Sequence, residues 1–294
     1  MSANPRPRRS VLYMPGGNAR ALEKAKTLAA DTVIFDLEDS VAPDAKPAAR
    51  ETAAAAVAQG GYGMREVIVR INSLSTSWGA DDMKAAVKCK PAGILVPKVS
   101  APGELDKLNS MLDDLGAPPE MGLWAMIETP LAILNIREIA AASDDTRLSG
   151  FVMGCNDLAK EMGASAGLRR EAFLTALSMS VMAARAHGLV AIDGVYNDIN
   201  DLEGFEAECL QGLNLGFDGK TLIHPSQIDI CNRVYAPADD EVAAAQAVID
   251  AFADPANAGQ GVIKVNGKMT ELLHLEQARR TIAIANAIAA LRAA

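Results

Sequence analysis

The chain has 294 residues, 50% of them hydrophobic, with a net charge of −9. That acidity argues against nucleic acid, which wants basic patches, and no window approaches the ~20 apolar residues of a membrane span. The cysteines (Cys89, Cys155, Cys209 and Cys231) are scattered without metal-ligand spacing. A cytoplasmic protein with free thiols and neither nucleic-acid nor membrane partners is expected.

Apolar strand-like runs alternate with amphipathic stretches. The first strand is predicted at 10–14, ending in Pro15-Gly16-Gly17, and Asn18 can cap a helix at 19–30. The second, 32–37, is the apolar core of DTVIFDLED at 31–39, which runs straight into Asp36, Glu38 and Asp39. Carboxylates at the end of a buried strand are costly unless a metal, an arginine or backbone N–H groups pair with them. A helix at 46–59, a strand at 66–71 and a helix at 79–89 follow. Next come a strand at 93–99 ending in Pro97-Lys98, a helix at 102–115, a strand at 122–127 ending in Glu128, and a helix at 131–142. The sixth strand, 148–153, leads through Gly154-Cys155-Asn156-Asp157 to a long helix at 169–187 closed by Gly188. A seventh strand at 189–192, a helix at 199–212, an eighth strand at 214–217 and a helix from Ser226 complete the series.

Eight strand–helix units in about 235 residues predict an α/β fold, a (β/α)8 TIM barrel over 1–236. A doubly wound sheet is the alternative, but Pro15-Gly16-Gly17 does not match its glycine-rich phosphate loop. A C-terminal helical extension over 237–294 follows: a helix at 237–253, a linker at 254–261, a hairpin turning at Asn266-Gly267, and a helix at 270–292. Such an appendage is expected to contact a neighbouring subunit or lid a site.

In a barrel the C-terminal strand ends converge on one mouth. Glu128 and Asp157, from successive strands, can reach one ion, and two carboxylates plus waters and substrate oxygens suit Mg²⁺. With no histidine cluster, zinc is disfavoured. Arg70 offers a fixed fork for a carboxylate or a developing enolate oxygen. Asp36, Glu38 and Asp39 either hold metal-bound waters or orient Arg70. Blander readings stand beside these. Asp157 alone serves equally well as a helix cap, while Asp44, Asp81 and Asp82 read as caps or exposed charges. His187 and His274 read as surface residues and His224 as a turn residue.

Six segments occur in order: RSVLYMPG at 9–16, VIFDLEDSV at 33–41, VRIN at 69–72, IET at 127–129, GCNDL at 154–158, and FDGK at 217–220 with IHP at 223–225. Together they resemble the citrate lyase β-subunit-like/malyl-CoA lyase family of the HpcH/HpaI aldolase-like superfamily. The resemblance implies a trimeric or hexameric TIM barrel that makes or breaks C–C bonds in 3-hydroxyacyl-CoA thioesters, releasing or using a 2-oxo acid. It implies Glu128 and Asp157 as Mg²⁺ ligands, Arg70 on the substrate enolate, and Asp36, Glu38 and Asp39 around the metal shell. Arg9, Pro15 and Arg20 would lie near CoA, and the backbone around Gly154 and Asn156 would hold the oxo-acid carboxylate.

One departure stands out. Many members carry an aspartate shortly after a Gly-x-Met near the C-terminus, reaching the adjacent subunit as an acid/base. Here Gly267-Lys268-Met269-Thr270 is followed by Glu271. The expected activity is Mg²⁺-dependent cleavage or formation of malyl-CoA, citramalyl-CoA or an analogue. The alternatives are hydrolysis of the same thioester and a citrate lyase β subunit acting on a carrier-bound thioester.

Overall fold

The structure, a computed structural model, describes residues 6–165 and 170–293. It forms two compact units, Arg8–Tyr235 and a smaller unit made of the described residues before Arg8 and from Ala236 onward. The larger is a closed barrel of eight parallel strands. They are β1 (Ser10–Pro15), β2 (Thr32–Asp36), β3 (Glu66–Arg70), β4 (Gly93–Val96), β5 (Gly122–Ile127), β6 (Leu148–Met153), β7 (Val190–Asp193) and β8 (Gly219–Leu222). Each pairs with the next, and β8 closes on β1.

Side chains alternate between the two faces of a strand. Val11, Ile34, Ile68, Leu95, Trp124, Val152 and Ile192 form an apolar core inside the barrel. The opposite parity, including Val33, Phe35 and Val69, packs against the surrounding helices. Trp124 is the bulkiest side chain of the interior. Glycines on the two flanking strands make room for it: a Cβ on Gly150 would lie 2.6 Å from the indole, and one on Gly93 would lie 3.0 Å away.

Several boundaries differ from the sequence reading. No strand forms at 214–217, because helix Leu202–Leu215 runs through its first half and Gly216 caps that helix. The eighth strand is Gly219–Leu222, and its Lys220 is fully buried. Lys220 Nζ lies 2.6 Å from Glu208 and 3.1 Å from Asp193, while Arg170 Nη1 lies 2.7 Å from Asp193. Two cations and two carboxylates thus neutralise one another, which permits a charge where a strand was expected to be apolar. A helix, Cys155–Met162, starts directly after β6 where a loop was expected. Beyond it the long predicted helix is a short 3₁₀ turn, Glu171–Phe173, and helix Leu174–Ala186; residue 169 lies outside the described residues. Asp82 is no exposed cap. It is fully buried, accepting from Arg50 Nε (2.6 Å) and from the Asn72 side chain (2.7 Å) and backbone (3.0 Å).

In the C-terminal unit, helix Asp239–Ala253 packs along helix Leu272–Ala293. Between them β9 (Val262–Val265) and β10 (Lys268–Glu271) form a hairpin. Its turn is Asn266-Gly267, both at positive φ (48° and 82°), as a two-residue hairpin turn of this hand requires. No helix of the described residues is long and apolar enough to cross a membrane.

Candidate active site

Strand parity builds the site. Tyr13, Asp36, Arg70 and Glu128 each lie two residues beyond an inward-facing apolar residue: Val11, Ile34, Ile68 and Met126. They share that inward parity at the C-terminal mouth, above the barrel core. A cleft of about 330 Å³ opens there, with Tyr13, Asp36, Arg70, Met126, Gly154 and Asp157 among its walls.

Arg70 is locked in place. Nε and Nη2 grip the two oxygens of Asp36 at 2.6 and 2.8 Å, across a pair in register on β2 and β3. The Tyr13 ring stacks on the guanidinium at 4.8 Å. Asp36 also accepts the backbone N–H groups of Glu38 and Ser40, both at 2.9 Å, so the loop after β2 wraps onto its carboxylate. Burial alone would raise the Asp36 pKa, but Arg70 and these donors outweigh it and hold the carboxyl below its ordinary value.

Arg70 Nη1 remains. It faces Asp39 at 3.2 Å and Glu38 Oε2 at 2.9 Å. The Glu38 contact is out of line with the N–H bonds, so this buried oxygen accepts no hydrogen bond. One guanidinium therefore serves three carboxylates. Burial, together with the charges of Asp39, Glu128 and Asp36, pushes Glu38 up to about 7 despite Arg70. The Tyr13 hydroxyl is likewise buried without a partner.

Asp157 lines the same cleft, and Glu128 is buried beside it. Glu128 Oε1 accepts the Lys98 backbone N–H at 2.7 Å. Burial pushes its pKa up to about 7, with Asp157 adding to the rise and Lys98 opposing it. Asp157 sits in the first turn of helix Cys155–Met162, whose leading N–H groups have no partner within the helix and lie at the cleft wall. Lys98, in left-handed backbone (φ 58°), puts Nζ 2.7 Å from Asp157 Oδ1 and 3.8 Å from Glu128 Oε1. The two carboxylates thus already share one cation.

Gly154 keeps them together. A Cβ there would lie 2.4 Å from the Glu128 Cβ and 2.6 Å from Oε2. Among the described residues no three His, Cys, Asp or Glu side chains converge as a metal cage. Two carboxylates with room for water and substrate oxygens fit a hard ion such as Mg²⁺ and do not fit zinc.

The remaining predicted residues separate. Pro15 and Asn156 line the cleft, and Asn156 exchanges side-chain hydrogen bonds with Asn197 (2.8 and 3.2 Å). Arg20 is exposed in the first turn of helix Ala19–Ala25, outside the cleft walls. Arg9 does not reach the mouth. It precedes β1 at the opposite end of the barrel, 4% exposed, and its guanidinium pairs with Asp31 through two contacts of 2.8 Å. An arginine beside a buried aspartate at a strand start is held there by the charge pair. Glu271 ends β10 in the C-terminal unit, exposed, and its backbone N–H donates to His274 Nδ1 at 2.9 Å. His224 caps its own turn by accepting from Ser226. The sequence reading did not single out Lys98 or Tyr13. Strand parity alone could have found Tyr13; Lys98, beyond its strand in left-handed backbone, gave no such signal.

Residues 9–225 match the model of the HpcH/HpaI aldolase/citrate lyase family. The chain belongs to this family. The HpcH/HpaI match spans the barrel and all of the cleft residues above, and it ends before Glu271. Across 100% of both chains the protein is 48% identical to a (3S)-malyl-CoA thioesterase of Cereibacter sphaeroides. It is 38% identical to the citrate lyase subunit beta of Escherichia coli K12, over 93% of this chain and 92% of that one. Among solved structures, CitE of Mycobacterium tuberculosis in complex with magnesium, acetoacetate and coenzyme A superposes with a TM-score of 0.76 at 29% identity, covering 97% of this chain and 100% of CitE.

Proposed function

We propose that the protein is a Mg²⁺-dependent enzyme of short 3-hydroxyacyl-CoA esters of the malyl type, and that it hydrolyses the thioester to the hydroxy acid and CoA. The observation that carries the site reading is the meeting of two elements at one barrel mouth: a locked arginine, and a carboxylate pair that already shares a cation. The end-to-end 48% identity to a (3S)-malyl-CoA thioesterase supports hydrolysis over the lyase reaction expected from the sequence. The magnesium and coenzyme A bound by CitE support the metal and the substrate class.

Glu128 and Asp157 would hold Mg²⁺, which when bound supplies a Lewis acid for the oxygens of the hydroxy-acid end. Arg70 Nη1 meets the negative charge that develops on the thioester oxygen, and Asp36 keeps the guanidinium from turning away. Water adds to the carbonyl carbon and the C–S bond breaks. Glu38, with a pKa near neutrality, takes the water proton, and the departing CoA sulfur receives one. Glu271 is a second acid/base group of the proposal, brought to the site by a neighbouring copy in a homo-oligomer. CoA-ester chemistry of this kind fits the cytoplasm.

A second reading, C–C cleavage to a 2-oxo acid and acetyl-CoA, is favoured by the citrate lyase relatives and by an arginine suited to an enolate oxygen. Incubation of the purified protein with (3S)-malyl-CoA and Mg²⁺, with product identification, separates the two. Malate and free CoA support hydrolysis; glyoxylate and acetyl-CoA overturn it in favour of the lyase. Turnover of a free CoA ester also removes the need for a carrier protein, and no turnover of malyl, citramalyl or citryl esters sinks both readings.

A further inference from the structure

The two cleft carboxylates face a cation that belongs to the chain. Lys98 Nζ is 2.7 Å from Asp157 Oδ1 and 3.8 Å from Glu128 Oε1. Mg²⁺ binds carboxylate oxygens at about 2.0–2.1 Å, so an ion held by Glu128 and Asp157 must touch the group that the ammonium already contacts. Two cations on one carboxylate repel, and the singly charged, mobile one yields. Lys98 is built to yield: its side chain is 42% exposed on a flexible stem. Its backbone is not. The Lys98 N–H holds Glu128 Oε1 at 2.7 Å from a left-handed turn (φ 58°), and that bond survives whatever the side chain does.

The residue therefore has two separable parts, a fixed N–H that aims Glu128 and a movable charge that occupies the space between the carboxylates. We infer that the Lys98 ammonium is a resident counter-ion of the metal site that competes with the divalent ion, so that metal uptake is an exchange of one cation for another and is weaker than the carboxylates alone would make it. The inference rests on the Mg²⁺ reading of Glu128 and Asp157. Without Lys98 these two anions would face each other unshielded. With it they are held together before the metal arrives, at some cost in affinity. A ligand that must displace an internal competitor has its apparent affinity multiplied by the competitor-free fraction. Measured exposed lysine–carboxylate pairs correspond to a factor of about 1.4 to 5, and a lysine engaging two carboxylates sits at or above the upper end.

The test is Mn²⁺ binding to the full chain, read from the free-ion electron paramagnetic resonance signal at fixed pH and ionic strength. Lys98→Met removes the charge and keeps the N–H. Lys98→Asn does the same with a residue that tolerates left-handed backbone, in case methionine perturbs the turn. Both are expected to bind Mn²⁺ about two- to tenfold more tightly than wild type. Unchanged or weaker Mn²⁺ binding in folded Lys98→Met and Lys98→Asn would overturn the competition. If wild type binds Mn²⁺ and Glu128→Gln does not, the metal reading stands even when the competition fails. A wild-type protein that binds no Mn²⁺ removes both.

Discussion

Gly154→Ala is a one-carbon test of the site. The glycine has φ −105°, which alanine adopts freely, so the backbone gives no reason for an effect. Space does. The new methyl would lie 2.4 Å from Glu128 Cβ, 2.6 Å from Glu128 Oε2 and 3.2 Å from Met126 Cε. Cβ–Cβ contacts need more than 3 Å, so one of the two must retreat by about 1 Å. Glu128 Cβ is fixed to the strand end and cannot swing away as a side-chain tip could. The retreat therefore moves the Glu128 carboxylate off the Lys98 N–H and away from Asp157. Overpacking of this kind costs about 1–3 kcal/mol, and each kcal/mol lowers Tm by about 2–4 °C in a domain of this size. A 1 Å displacement of a metal-holding carboxylate is expected to lower kcat by about 100-fold. Thermal melts, Mn²⁺ titration and Mg²⁺-dependent turnover of malyl-CoA measure the three effects. A variant with wild-type turnover and metal affinity would refute the reasoning, because Glu128 would then be shown not to act from where it stands.

Glu128→Gln and Asp157→Asn are expected to abolish the Mg²⁺ dependence and nearly all turnover while the fold persists. Glu128→Gln should not lower Tm, since it removes a buried carboxylate whose pKa burial pushes up to about 7; wild-type rates in either variant would count against the assignment. Glu38 gives a pH signature. Unfolded, it loses its proton near the ordinary 4.5; folded, near 7, so in that window the folded state binds more protons and stability falls as pH rises. Denaturant titrations of wild type against Glu38→Gln should therefore diverge between those pH values, by at most about 3 kcal/mol in favour of the glutamine variant, and parallel curves would place Glu38 in ordinary solvent. Glu271→Ala should lose turnover with Tm unchanged, because the residue is exposed; unaltered kinetics would make it a surface residue.

Much of the site was legible because it is written in short-range periodicity. Asp36, Arg70 and Glu128 follow inward-facing residues by two on their strands, so a reader who finds the strands also finds which side chains share the mouth. The Asn266-Gly267 hairpin was equally local, since only the turn residues and their neighbours fix it. Asp157 was found without its setting: the helix that presents it starts at Cys155, where glycine, asparagine and aspartate read as a loop.

What escaped the sequence depends on partners far away in the chain. Lys220 reads as lying beyond a strand that ends at Phe217, until Asp193 and Glu208 neutralise it inside the strand Gly219–Leu222. Arg9 carries the charge expected of a CoA contact, yet Asp31, 22 residues on, claims it at the far end of the barrel. Asp82 looks like a surface acid until Arg50 and Asn72 close over it. Lys98 lies beyond its strand, and only the meeting of three strand ends gives its ammonium two carboxylates. Alternation of polar and apolar residues fixes which face a side chain takes, because the backbone period is local. Whether a buried charge is tolerable depends on the opposite charge beside it, and that neighbour is set only when the barrel closes.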